Sequence, residues 1–194
     1  MDFKNHLETA WKQTIKFIAP LILMTLVMYI VSIITLGILA PVAMAGYMQA
    51  ILLMIREGRE PKVNDVFSQM KLFLPLIGFT IVVTIATIIG FMLLILPGLI
   101  IIIIVAFGCL YTMPLMTDKS MGLIDAVKES FSMSLKKDIL NQVIIVIIFF
   151  GISAIGGSVF IGWLFTQPLA TIFLLSVYEE KAGMKKREPE LIKE

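Results

Sequence analysis

Cysteine and histidine are all but missing from this chain of 194 residues: Cys109 is its one thiol and His6 its one imidazole. A single cysteine cannot close an internal disulfide, and a single histidine cannot build a multi-histidine zinc site, so both frameworks are excluded on arithmetic. Charge is scarce as well, at 15% of residues against 59% hydrophobic, with 16 basic and 14 acidic side chains for a net +2. That balance offers no strongly basic surface, and no nucleic-acid partner is expected. The mean hydropathy of +0.98 is far above that of a water-soluble domain and points to an integral membrane protein.

What charge there is falls into four segments: Asp2 to Lys16, Arg56 to Lys71, Asp118 to Asp138 and Glu179 to Glu194. The intervals between them, Phe17 to Ile55, Leu72 to Thr117 and Ile139 to Tyr178, hold none. Each interval is about twice the roughly 20 residues that a helix needs to cross hydrocarbon. Each also breaks near its middle at helix-disrupting residues: Gly37 to Pro41, Leu96-Pro97-Gly98, and Gly156-Gly157 with Gly162. The expected fold is therefore all-α, a polytopic membrane bundle of six transmembrane helices arranged as three hairpins. Its spans cover about 17–37, 40–55, 73–95, 98–117, 139–156 and 158–178, and a tail follows over 179–194. Six spans place every lysine and arginine on one face, as the positive-inside rule asks, whereas three would translocate half of them. That face is taken as cytoplasmic, with both ends of the chain on it, and the setting as the cell's cytoplasmic membrane. The first apolar run is too long for the core of a cleavable signal and reads as a signal anchor.

Three charged segments read as cytoplasmic amphipathic helices, over about 2–16, 64–72 and 120–137. In the first, Phe3, Leu7, Ala10, Trp11, Thr14 and Ile18 make a stripe opposite Lys4, Glu8, Lys12 and Lys16. In the second, Val66, Phe67 and Met70 oppose Asp65, Ser68, Gln69 and Lys71. In the third, with Ser120 as N-cap, Leu123, Ile124, Val127, Phe131 and Leu135 oppose Asp125, Lys128, Glu129, Ser132 and Lys136. Such helices rest in the headgroup layer, and either cover the cytoplasmic ends of the bundle or recruit and sense membrane. Helix followed by hairpin recurs three times, with Lys16-Phe17-Ile18-Ala19-Pro20 matching Lys71-Leu72-Phe73-Leu74-Pro75 and, without the proline, Lys137-Asp138-Ile139-Leu140-Asn141. The tail's Lys185-Lys186-Arg187 is set among glutamates and reads as solvated.

No ionisable carboxylate, lysine, arginine or histidine lies inside a span, although ion-coupled transporters and voltage sensors normally use them. The polar candidates at depth are Gln49, Thr80, Thr84, Thr87 and Gln167. The threonines, at i, i+4 and i+7, share a helix face and suit interhelical packing. A primary amide in hydrocarbon must find a partner or water, so the glutamines are either interhelical glue or the lining of a polar cavity. Gly46 with Ala50, and Ser153 with Gly157, are small pairs suited to close helix contact. Pro114 and Pro168 are expected to kink the fourth and sixth spans or free backbone carbonyls there. Trp11 and Trp163 are expected at opposite interfaces. No phosphate-binding glycine loop, nucleophile elbow or metal cluster is present, so no catalytic, cofactor or metal residue is expected.

Gly58-Arg59-Glu60-Pro61, then Asp65-Val66-Phe67, Leu93-Leu94-Ile95-Leu96-Pro97-Gly98, Pro114 before Asp118-Lys119, Ala126-Val127-Lys128-Glu129-Ser130 and a late Pro168 follow one another in an order that resembles a known family. It is the six-helix domain named after the membrane part of glycerophosphodiester phosphodiesterases. The resemblance spans nearly the whole chain and implies a six-span fold in a lipid-related setting. The catalytic barrel that follows this domain in some members is absent from these residues, and no functional residue carries across. The leading expectation is a noncatalytic multi-pass protein acting through membrane lipids, other membrane proteins or its own copies. The alternatives are a small-solute or lipid-translocating permease or channel, and a membrane-shaping hairpin protein.

Overall fold

The computed structural model describes residues 2–93, 95–135, 139–157 and 162–183, and all regular structure among them is helical. The helices are α1 (Phe3–Lys16), α2 (Ile18–Ile34), α3 (Ala40–Glu57), α4 (Phe73–Leu93), α5 (Ile95–Gly108), α6 (Thr112–Asp118), α7 (Leu123–Leu135), α8 (Ile139–Gly157) and α9 (Trp163–Lys181). Two 3-10 turns, Val63–Phe67 and Met70–Leu72, join α3 to α4. Three stretches are long and apolar enough to cross a membrane: Val63–Met92, Ile95–Asp118 and Ile139–Gly157. The pair α1 and α2, bent by 89°, makes a fourth if it counts as one broken span. By length alone α2, at 17 residues, is a little short of the roughly 20 a span takes. By composition, α3 and α9 are diluted by the charged residues of their last turns and by Gln49 and Gln167.

Those two less apolar helices are the interior. Tyr47, Ile51, Leu52 and Met54 of α3 and Phe173, Leu174 and Leu175 of α9 are fully buried, while α4, α5 and α8 turn rows of isoleucine outward. A helix with apolar residues all round suits a lipid-facing position, and one carrying amides and small residues suits the protein interior.

The turns refine the sequence reading. Leu36 and Gly37, at φ 51° and 84°, make the first hairpin turn in the left-handed region, which glycine enters without steric cost. Leu96-Pro97-Gly98, the expected second turn, belongs instead to α5, and residue 94 lies outside the described residues. Pro97 is tolerated there because the first helical turn has no N–H bond to lose. The candidate span Ile95–Asp118, the expected fourth, is broken at Cys109–Tyr111 between α5 and α6. Pro114 favours the break, since its ring clashes with the carbonyl four residues back and it has no N–H to bond it. Pro168, by contrast, sits inside a continuous α9.

Of the three expected amphipathic helices, the first and third form, as α1 and α7, with other faces buried than the stripes suggest, and the second does not. On α1 the buried residues are His6, Ala10 and Thr14, so Ala10 and Thr14 of the expected stripe turn inward, whereas its Leu7, Trp11 and Ile18 face outward. The segment 64–72 is not an α-helix but the two 3-10 turns, with Val66 buried and Phe67 and Met70 exposed. A Cβ on Gly46 would overlap the Val66 carbonyl oxygen, so backbone packs on backbone there and Gly46 faces this turn. Ser120, at φ 51°, lies in a turn and α7 starts only at Leu123. The buried stripe of α7 is Ala126, Ser130 and Ser134, and Ile124 and Leu135 point outward. Small side chains win these contacts because they let helices approach closely. The same rule selects Gly156 rather than Gly157 at the α8–α9 contact, where a Cβ would overlap Thr166. Trp11 packs 5.6 Å from Phe165, and Trp163, the first residue of α9, packs 4.1 Å from Tyr29 of α2, so both tryptophans lie near the start of α9 and not at opposite ends. Lys136, Lys137-Asp138 and Lys185-Lys186-Arg187 fall outside the described residues.

Candidate functional site

Arg56, Asp118 and Glu179 are the first charged residues after the three apolar intervals, and the fold brings them together at the ends of α3, α6 and α9. Arg56 Nη1 and Nη2 fork onto the two oxygens of Asp118, the second at 2.9 Å, and Nε donates to Glu179 Oε1 at 2.8 Å. The Tyr178 hydroxyl donates to Asp118 Oδ2 at 3.0 Å. A planar guanidinium suits this work because its fixed donors meet two carboxylates at once. Helix C-termini carry partial negative charge, so Asp118 and Glu179 sit where carboxylates are disfavoured and Arg56 where a cation is favoured. The fork offsets both unfavourable placements. The Asp118 hydrogen bond, with Glu179 beside it, holds the Arg56 proton more firmly than usual against the opposing effect of burial.

A second polar network serves the break in the fourth span. The carbonyl of Gly108 accepts from Ser130 Oγ, and that of Phe107 from Ser134 Oγ at 3.0 Å and Gln142 Nε2 at 3.2 Å. Ser130 Oγ in turn accepts the Tyr111 N–H at 3.1 Å. Three side chains from α7 and α8 thus satisfy backbone groups that a continuous helix would have bonded internally, which a buried break requires. Gln142 Oε1 accepts from the Tyr111 hydroxyl at 3.0 Å and from Lys181 Nζ, which also reaches the Met133 carbonyl at 3.3 Å and lies 5.1 Å over the Tyr111 ring. Desolvation lowers the Lys181 pKa to about 8. The rings of Tyr111 and Tyr178 stack at 6.3 Å and join the two networks.

His6 fastens α1 to α9. The Ser176 hydroxyl bonds the Phe173 carbonyl at 2.9 Å, and His6 lies with Nδ1 2.9 Å from Ser176 Oγ and with Nε2 2.6 Å from Glu180 Oε2.

Beside these networks lies a cavity of about 270 Å³ between α3, α4, α5–α6, α8 and α9, lined among others by Met44, Met48, Leu76, Phe79, Ala106 and Phe149. Thr112 also lines it, and its hydroxyl is buried without a hydrogen-bond partner.

The sequence candidates are dispersed around this centre. Gln167 turns inward, with Nε2 3.5 Å from Thr171 Oγ1 and 3.8 Å from the Met44 sulfur at the cavity wall. Gln49 Oε1 is buried without a partner. Thr80 bonds its own helix at Leu76 O, 2.9 Å away, and is exposed with Thr84, while Thr87 is half-buried; the three do not bridge helices. Asp65 is bound by Arg59 at 2.6 Å and caps the Lys62 N–H at 2.9 Å. No group of three or more metal-ligating side chains occurs among the described residues. The residues that sequence reasoning missed are Arg56, Asp118, Glu179, His6, Ser130, Ser134 and Gln142. For the first three a signal existed: each is the first charged residue after an uncharged apolar interval, with 62 residues from Arg56 to Asp118 and 123 from Arg56 to Glu179. No family model matches this chain, and no curated protein or solved structure is found similar to it.

Proposed function

We propose that this chain is a noncatalytic multi-pass protein of the cytoplasmic membrane that acts by holding a lipid chain between its hairpins. The half-open cavity carries this reading. Its volume is about 270 Å³ and its wall is mainly methionine, leucine and phenylalanine, with Cys109 and Thr112 among them, and such a lining favours hydrocarbon over a polar solute. Surrounded by lipid, such a space takes up part of an acyl chain more readily than water or a polar solute. The resemblance to the membrane domain of glycerophosphodiester phosphodiesterases is in keeping with a lipid-related role. The test is native mass spectrometry of protein released from its membrane, beside Ala106→Phe, which places a ring in the cavity. Retained lipid that is lost in the variant is the expected result. Retention unchanged by the filled cavity would sink the proposal, and solute flux in liposomes would turn it towards the permease.

The proposed topology has six spans with all lysines and arginines cytoplasmic, supported by the charge map. A second reading, in which the α8–α9 hairpin is a wedge in one leaflet, is favoured by one contact: Trp11, on a charged helix, reaches Phe165 in the first turn of α9. Single cysteines in a Cys109→Ser background separate the two. Those at Glu60 and Lys128 are expected to label from the cytoplasm and those at Leu36, Leu96 and Gly157 from outside. Gly157 sealed from both faces, with Leu96 accessible, would establish the wedge.

A further inference from the structure

Helix α1 has three faces, each built on a four-residue register. His6, Ala10 and Thr14 are buried, and α1 packs chiefly on α9. One position further on, Leu7, Trp11 and Ile15 form an outward ridge, continued by Ile18, on which Trp11 is 53% exposed. Beyond that ridge come Lys4, Glu8, Lys12 and Lys16, all exposed. At 100° per residue the order round the helix is docked face, apolar ridge, charged ridge. Three of the four charged residues are lysines, and Glu8 lies 3.9 Å from Lys4. The docked face explains how α1 holds to the protein; the ridge touches the fold only at its edge, where Trp11 meets Phe165, and it and the lysines beside it stay largely exposed.

The bend supplies the orientation. Two helices at 89° cannot both follow the bilayer normal, and the uncharged α2 is the one suited to hydrocarbon. The charged α1 then lies across it, in the headgroup layer, with a tryptophan at the depth where amphipathic rings collect.

We infer that the Leu7–Trp11–Ile15 ridge of α1, with Lys4, Lys12 and Lys16 beside it, is a docking surface for anionic phospholipid, selecting such lipids from the surrounding bilayer. The ridge enters the acyl boundary and the ammonium groups contact phosphate from its edge. Selection comes from the lysines and anchoring from the ridge. The inference rests on α2 crossing the bilayer but not on the cavity between the hairpins. Labelling at Leu36 tests the crossing separately, so failure of one is distinguishable from failure of the other.

Trp11 is a built-in probe. Trp163→Phe protein is reconstituted in vesicles containing brominated phosphatidylglycerol or brominated phosphatidylcholine at equal mole fraction, and quenching of Trp11 is measured. The anionic lipid is expected to be favoured at Trp11 by at least about fivefold, the effect of one engaged lysine. The preference is expected to fall with salt and to vanish in Lys4→Gln, Lys12→Gln, Lys16→Gln protein, which still quenches with both lipids. Should Trp163→Phe not fold, the difference between wild-type and Trp11→Phe proteins gives the same quantity. Equal quenching by the two lipids overturns the inference. So does the absence of quenching by either, which would mean that a protein partner or a second copy covers the ridge.

Discussion

Arg56 and Asp118, 62 residues apart, pair fork to fork where α3 and α6 end, and Glu179 closes the same guanidinium from α9. The three residues come from the C-terminal ends of three separate helices. The interaction is therefore a clasp between α3, α6 and α9 and not a feature of any one of them. Its chemistry is asymmetric: one cation serves two carboxylates, so the three members are not equivalent to lose.

Removing the cation is expected to cost most. Arg56→Gln leaves the 6%-exposed Asp118 side chain and the 12%-exposed Glu179 side chain facing each other without a counter-charge. Breaking a buried pair in this way costs about 3 kcal/mol or more. Glu179→Gln keeps the Arg56–Asp118 fork and is expected to cost about 1 kcal/mol. Denaturant unfolding of the solubilised protein ranks the two, and a larger loss for Glu179→Gln would contradict this account of the clasp.

The break at Cys109–Tyr111 gives a second expectation. Ser130→Ala removes the donor to the Gly108 carbonyl and the acceptor of the Tyr111 N–H together. Leaving buried backbone groups unpaired costs about 1–3 kcal/mol, so a loss near 2 kcal/mol is expected. Ser132→Ala, on another side of α7, is expected to stay within about 0.5 kcal/mol. Equal effects in thermal unfolding would mean that water satisfies the break.

Close backbone approach can be tested with two glycines. At Gly46 a methyl group would overlap the Val66 carbonyl oxygen, whereas at Gly78 nothing lies within 4 Å. Gly46→Ala is expected to cost about 1–3 kcal/mol by forcing the Val63–Phe67 turn away from α3. Gly78→Ala is expected to gain up to about 1 kcal/mol from helix propensity. Thermal shifts of the same sign for both would remove Gly46 as a packing determinant.

The charge-free intervals made the helical, membrane-compatible character of the chain legible, because apolar composition and helix-breaking residues act locally. Pro114 likewise marked a disturbance in the fourth span, though not its position at Cys109–Tyr111. Which faces would be buried was not legible. Periodicity puts large apolar residues inward, as water demands, but beside lipid the outward face is apolar too. Ala10, Gly46, Ser130 and Gly156 were then selected for size instead of hydrophobicity. The clasp was half legible: Arg56, Asp118 and Glu179 bound the intervals in plain sight, yet only folding shows that corresponding ends meet. Gln142 and His6 gave no signal, since a lone amide or imidazole has no pattern until its partners from other helices are known.

Lys181 predicts how stability responds to alkali. Its ammonium is half-buried, and desolvation lowers its pKa from 10.5 to about 8, so the folded protein releases this proton before the unfolded chain does. Between about pH 8 and 10.5 the unfolded state therefore binds more protons, and stability from this group rises with pH. Below pH 8 both states are protonated and the desolvation penalty is present in full, with no slope. The Gln142 amide and the Met133 carbonyl accept from the ammonium without neutralising it, which is why burial prevails in setting the shift. Lys181→Met removes the group and its slope together. Wild-type protein is thus expected to gain stability relative to Lys181→Met as pH is raised from 8 to 10, measured by thermal unfolding in one detergent at fixed ionic strength. A difference that stays flat, or that shrinks with rising pH, would mean that a carboxylate and not desolvation governs Lys181.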